Sequence, residues 1–235
     1  MKVMTFNIQH GKNFISGKIE LEKVANAIKK AGADIVCLNE VYGKGPHPSF
    51  TAQAKTLGEL LGYEWYFAPA IKITGAGPYG NALLSKYPIR SCETVPVPTV
   101  PRNHPGYFED RCAFHAVIDV NGRYVTVIGS HFGLQIEEQE QCVNTVCQLI
   151  DASDYPVVLM GDFNVTPEDP VLLPIRERLK DSAELPEANL ATFPSDAPKT
   201  KIDYVLLSKD LIMESASIPT EVVSDHLPIV VQIRF

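Results

Sequence analysis

The sequence predicts an α/β sandwich, two packed mixed sheets with helices on the outside, rather than a purely parallel sheet. Three observations predict it. Short apolar runs recur along the whole chain, amphipathic helical patterns separate several of them, and the middle of the chain turns to successive strand-like runs joined by turn signals.

Taken in order, residues 2–8 read as a strand, and Leu21, Val24, Ile28 and Ala31 then recur at helical spacing until Gly32 stops them. Residues 34–38 read as a buried strand. A helix from about 49 to 61, ended by Gly62, leads into an aromatic strand at 63–67, whose Tyr63, Trp65, Tyr66 and Phe67 are expected in the core of a sheet. Strands follow at 81–85, 89–97, 112–120 and 124–130, with Asn121-Gly122 the strongest hairpin signal in the chain. Val143, Val146, Cys147 and Ile150 mark another helix, and strands at 157–160, 202–207 and 228–233 complete the pattern. No internal repeat or low-complexity linker divides the chain, so one domain over residues 1–235 is expected. Three stretches rich in Gly and Pro, at 42–48, 74–80 and 96–106, are expected as loops that shape a substrate site.

Composition narrows the function. With 235 residues and 45% hydrophobic content the chain can bury a sizeable core. Its 21 Lys plus Arg against 28 Asp plus Glu give a net charge of −7, and no dense basic run is present. Tight, sequence-independent binding to long nucleic acid is therefore disfavoured, because such binding relies on cations that neutralise phosphates. No apolar run approaches the roughly 18 residues of a membrane span, and no secretory leader pattern precedes the first strand, so a cytoplasmic location is expected. The five cysteines, an odd count without a CxxC pair, are expected as buried reduced thiols rather than disulfides or zinc ligands. Nothing signals an obligate protein partner.

Polar residues gather at the ends of the apolar strands: Asn7, Glu40, His131, Asp162 with Asn164, and Asp225-His226. Sheet ends are where α/β folds collect their sites. Hard oxygen donors such as Glu40 and Asp225 suit Mg²⁺ or Mn²⁺. Asp162 can orient or deprotonate a water. His226 can bond a phosphoryl oxygen while Asp203 holds its ring and keeps it protonated, and Asn7, Asn164 and His131 can donate where negative charge grows. The chemistry that suits this set is hydrolysis of a phosphate ester.

The ordered motifs FNIQHG (6–11), LNEV (38–41), YGNALLS (79–85), SHF (130–132), GDFN (161–164), IDYV (202–205) and SDHLP (224–228) resemble the endonuclease/exonuclease/phosphatase superfamily from about residue 3 to 232. The resemblance implies a four-layer α/β sandwich, two packed mixed β-sheets flanked by helices, with a metal site at one end of the sheets. It implies Glu40 as principal ligand for Mg²⁺ or Mn²⁺, assisted by Asn7 and Asp225. Asp162 would prepare the attacking water, Asn164 would help stabilise the pentacovalent transition state, Asp203 and His226 would form an acid–histidine pair, and His131 would contact phosphate. Asn81 and Arg111 fall where members carry supporting or phosphate-contacting residues.

The chain departs from the commoner pattern at three places. Asn39 stands where glutamine is usual, Gln9 where the DNA-repair branch carries aspartate, and His131 where that branch carries tyrosine. The last two point to the phosphodiesterase and phosphatase branches, including those resembling sphingomyelinases and inositol-phosphate phosphatases, and so to a small or lipid-derived phosphate ester. A nuclease of the same superfamily is the alternative; it would gather cations such as Lys12, Lys44, Lys72 and Arg102 around the site. A catalytically silent binding module would ordinarily have lost Glu40, Asp162 or His226, and all three are present. His10, His47, His104 and His115 match no site motif and are expected to be structural or surface residues. Glu137, Glu138 and Glu140 suit a helix dipole without any ligand.

Overall fold

Val3 and Met4 are adjacent and both fully buried, yet they enter different cores, because successive side chains of a strand point to opposite faces. That alternation, repeated across twelve strands, builds the layers seen in the computed structural model, which describes residues 1–46, 50–185 and 190–235. In chain order the elements are β1 (Lys2–Asn7), α1 (Leu21–Ala31), β2 (Ile35–Tyr42), α2 (Gln53–Leu61), β3 (Glu64–Ile73), β4 (Gly77–Ser85), β5 (Ile89–Pro96) and β6 (Cys112–Val120). They continue with β7 (Arg123–His131), α3 (Ile136–Asp151), β8 (Val157–Asp162), α4 (Leu173–Arg178), β9 (Lys180–Asp181), β10 (Asp203–Leu207), β11 (Ile212–Ser217) and β12 (Ile229–Arg234).

The strands form two six-stranded sheets, ordered β11-β12-β1-β2-β4-β3 and β5-β6-β7-β8-β10-β9. Each sheet has one parallel pair at its centre, β1 with β2 and β7 with β8, and every other pairing is antiparallel. A parallel pair needs a crossover, and α1 and α3 supply the two. The central core lies between the sheets, where Val3, Cys37, Leu83 and Val231 meet Phe114, Val127, Met160 and Val205. A second core packs α1 and α2 on the outer face of the first sheet through Met4, Phe6, Val24, Ile28 and Leu57. The third packs α3 and α4 on the second sheet through Ile128, Leu159, Cys142, Val146 and Ile175. The result is a four-layer α/β sandwich.

Most expected elements are present, with instructive differences. The strand expected at 34–38 runs on through Tyr42, and the loop expected at 74–80 shrinks to a tight turn because β3 and β4 extend to Ile73 and from Gly77. The aromatic run is less buried than expected, with Trp65 43% exposed, because β3 is an edge strand. Strands β9 and β11 and helix α4 carry no clear periodic signal and are additions to the sequence reading. His47, and the expected helix start at 49, lie outside the described residues. The five cysteines are all free, and Cys37, Cys112, Cys142 and Cys147 are buried. Among the described residues no helix is long and apolar enough to cross a membrane.

Gly161 is the tightest point in the central parallel pair. Its φ is 151°, and a Cβ there would lie 1.8 Å from the Ser130 carbonyl oxygen of β7. Gly161→Ala therefore has to separate β7 from β8, and a stability loss on the order of 3 kcal/mol or more is expected in chemical denaturation. A variant as stable as the parent would contradict this packing.

Candidate active site

Strand register assembles the site. In the second sheet Asp162 sits between His131 of β7 and Asp203 of β10, each its direct partner; in the first sheet Asn7 of β1 faces Asn39 of β2. The ends of the two central parallel pairs therefore bring these residues to one edge of the sandwich.

Backbone conformation then aims the side chains. Register shifts between Leu38 and Val41, and Glu40 within this bulge has φ 59°. Gln9, His10 and Asn164 also have positive φ, so four of the five such non-glycine residues among the described residues lie at or beside the site; the fifth, Asn121, is in the β6–β7 turn. The backbone at these positions is held in a costly conformation, a pattern common where a site must be pre-organised. Glu40 is thus not at the end of its strand but on a bulge inside it.

Asp162 is the hub. It is 1% exposed, and its Oδ2 accepts Asn7 Nδ2 at 3.0 Å and lies 3.5 Å from His131 Nε2 and 3.6 Å from His226 Nε2. Its Oδ1 accepts the Asn164 N–H at 2.9 Å. Burial and the neighbouring Asp203 push the Asp162 carboxyl well above the usual range, against the pull of His226. On the other side His226 Nδ1 bonds Asp203 Oδ2 at 2.8 Å, and the same oxygen accepts the Thr192 hydroxyl at 2.6 Å. Burial alone would lower the His226 pKa, but Asp203 and Asp162 outweigh it and raise it to about 10, so the ring is protonated at neutral pH. His131 goes the other way: burial, Arg111 and His226 hold it well below its ordinary value. A guanidinium can only donate, so His131 Nδ1 accepts from Arg111 Nη1 at 3.2 Å, while Nε2 lies 3.1 Å from Asn164 Nδ2 and 3.5 Å from Asp162 Oδ2.

Glu40 accepts Asn7 Nδ2 at 3.0 Å and the Tyr79 hydroxyl at 2.9 Å. Asn7 thus offers its NH₂ to two carboxylates, Glu40 and Asp162, while its oxygen accepts the Gln9 N–H at 3.1 Å. The Gln9 side chain donates to Asp225 Oδ2 at 2.9 Å and ties Asp225 to the group; Ser224 donates to the other oxygen. The Glu40 and Asp162 carboxylates flank the Asn7 amide and Asp225 joins them through Gln9, oxygen donors of the kind that suit Mg²⁺ or Mn²⁺. Asn7 could add its oxygen only after its amide turns. Asp162, Asp203 and His226 also offer ligand atoms within 4.8 Å of one another.

The nine residues Asn7, Glu40, Arg111, His131, Asp162, Asn164, Asp203, Asp225 and His226 are linked by these contacts. Asn81 stands one layer back: its oxygen accepts Asn39 Nδ2 at 2.8 Å and its NH₂ donates to Cys112 O at 3.0 Å, so it supports the site from behind. Asn39 is completely buried and clamps the two sheets, accepting the Asp162 N–H and donating to Ser130 O. A pocket of about 300 Å³ opens on the group, lined by Glu40, His131, Asp162, Asn164 and His226 together with Tyr79, Tyr107, Glu109 and Leu134. Thr192, Tyr79, Tyr107 and Glu109 escaped the sequence reading. Of these only Tyr79 lay within a motif, two residues before Asn81, and Glu109 stands two residues before Arg111.

The raised His226 pKa has a measurable consequence. Stabilisation from the Asp203–His226 pair is complete below the ordinary histidine value of 6.5 and is lost as pH rises through about 10. The unfolding free energy of the parent should fall between those limits, and the slope should flatten in Asp203→Asn. Equal slopes would contradict the pairing.

The sequence profile of the Endonuclease/Exonuclease/phosphatase family matches residues 4–226. YbhP of Escherichia coli (strain K12) is 26% identical over 256 residues, covering 99% of this chain and 96% of that protein. Among solved structures, a mannosyl-6-phosphatase of Bacteroides thetaiotaomicron superposes with a TM-score of 0.80 at 17% identity, with complete coverage of both chains. The human Nocturnin catalytic domain superposes with a TM-score of 0.75 at 19% identity, covering 100% of this chain and 94% of that one. Both are similar to this chain in fold.

Proposed function

Because the chain belongs to the endonuclease/exonuclease/phosphatase family, whose members are generally hydrolases acting on phosphate esters, we propose that it is a divalent-metal-dependent phosphohydrolase of small or lipid-derived esters. In this reading one domain spans residues 1–235, and its reduced cysteines suit the cytoplasm. The observation that carries it is the buried Asp162 carboxylate flanked by a protonated His226 and a neutral His131, an arrangement suited to moving one proton while holding an anion.

Asp162 takes the proton of the attacking water. His226, fixed by Asp203 and Thr192, donates to a phosphoryl oxygen, and Asn164, His131 and Arg111 surround the charge that grows in the transition state. Glu40, with Asn7 and Asp225 assisting, would hold Mg²⁺ or Mn²⁺, which supplies Lewis-acid polarisation of the phosphoryl group. The Asp162–Asp203–His226 set is the less suitable holder for these ions, since it includes a ring nitrogen whereas Glu40, Asn7 and Asp225 offer the all-oxygen donors that Mg²⁺ and Mn²⁺ prefer. Asn81 positions the site through Asn39.

A small ester is favoured over duplex DNA by the walls. The pocket is compact, and the open groove of about 490 Å³ beside it carries Lys72 and Arg102 but also Glu109 and Asp110, with Arg102 bound to Asp110 at 2.8 Å. Lys72 and Arg102 are the observation that keeps the nuclease reading in play.

Activity should require Mg²⁺ or Mn²⁺ and vanish in EDTA, and Glu40→Gln should weaken Mn²⁺ binding in calorimetry as well as turnover. Unchanged Mn²⁺ affinity would remove Glu40 as ligand. His226→Ala and Asp162→Asn should each lower the rate on the order of a hundredfold with the fold intact, and near-parental turnover would strike that residue from the mechanism. In a metal-supplemented panel at matched salt, small phosphate esters should be cleaved faster than abasic duplex DNA; the opposite order would favour the nuclease.

A further inference from the structure

One wall of the pocket carries chemistry that the hydrolytic step does not use. Residues 97–111, between β5 and β6, are strapped to the start of α3. His104 Nε2 lies 3.2 Å from Glu137 Oε1, Gln135 Nε2 donates to Tyr107 O at 3.4 Å, and the Glu109 N–H donates to the buried Glu138 carboxylate at 2.8 Å. Strapped this way, Glu109 presents a carboxylate with only 13% side-chain exposure to both the catalytic pocket and the adjoining groove. Oε1 is 2.7 Å from Arg111 Nη1, and Oε2 accepts the hydroxyl of Tyr107, a residue 58% exposed. Arg111 itself is 8% exposed, and its Nε has no hydrogen-bond partner among the described residues.

Glu109 itself offers no donor to a second phosphate, whatever Lys72 and Arg102 contribute elsewhere in the groove. It is equally poor for a cationic headgroup, because Arg111 already neutralises it and an ammonium group would sit against the guanidinium. What it can still do is accept. A carboxylate has about four lone-pair sites, and Arg111 and Tyr107 occupy two of them. Neutral hydroxyl donors suit the acceptor sites that remain, and the groove gives them room beside the catalytic pocket.

We propose that Glu109 is a specificity-determining residue on the leaving-group side, accepting hydrogen bonds from the hydroxyls of a polyhydroxy alcohol whose phosphate ester is the substrate. This rests on reading the pocket as a phosphohydrolase site. The leaving groups thus chosen are polyols or sugars rather than alkyl, amino or anionic alcohols.

The test compares kcat/KM for glyceryl, propyl, 2-aminoethyl and 2-carboxyethyl phosphates, as monoesters and as methyl diesters, with Mg²⁺ or Mn²⁺. In the parent the glyceryl ester should exceed the propyl ester by on the order of tenfold, as one hydrogen bond to a charged group allows, and should exceed the aminoethyl and carboxyethyl esters too. In Glu109→Leu, which removes both acceptor oxygens, the glyceryl-to-propyl ratio should collapse toward one and the carboxyethyl ester should gain relative to propyl. A residue that merely braced Arg111 would lower all four esters together and leave the ratios alone, which would overturn the proposal. So would a parent that does not distinguish glyceryl from propyl, or that prefers the aminoethyl ester, and these results need no folded variant. A parent that cleaves none of the esters would overturn the phosphohydrolase reading itself, and this proposal with it.

Discussion

Asp162 is a carboxylate placed where water scarcely reaches, and the rest of the site follows from what that placement demands. A buried charge is tolerated only when neighbouring groups compensate it. Asn7 comes from the other sheet, Asn164 from the chain just beyond β8, and His131 and His226 from either side; each contributes part of that compensation. Removing one leaves the others facing an uncompensated charge, so these residues work as a unit. The cross-strand neighbour Asp203 adds repulsion, and His226 lies against both acids to offset it.

That unit can form only because two sheets meet at one edge in a fixed relation. Asn39 fastens them, accepting from the Asp162 backbone and donating to Ser130 of the neighbouring strand and to Asn81 of its own sheet. Gly161 permits the close approach of β7 and β8 that puts His131 beside Asp162. The asparagine at position 39 is consequently more than a substitute behind Glu40: its two-sided amide spans the gap between the sheets.

Much of this was readable from residue order. Polar residues following apolar strand runs marked Asn7, His131, Asp162 and Asn164, since a strand that must alternate faces cannot hide such groups except at its ends. Glu40 was recognised as a site residue, but not as sitting on a bulge, because a positive φ at glutamate leaves no trace in hydrophobic periodicity. Thr192 was invisible for a related reason: it lies in an aperiodic segment and matters only through a bond to Asp203, 11 positions away. Glu109 lies just beyond the 96–106 stretch whose prolines and glycines announced a loop, and nothing in that pattern says which neighbouring side chain turns inward. Register between the sheets, set by the central core, decides these matters, and single-chain patterning does not contain it.

In the proposed mechanism the polar cluster has a cation-holding side at Glu40 and a proton-holding side at His226. Anomalous diffraction from crystals equilibrated with Mn²⁺ tests that division directly. The strongest peak is expected against the Glu40 carboxylate, with the Asp203–His226 hydrogen bond intact; a peak held by Asp203 and His226, with that bond broken, would contradict the division.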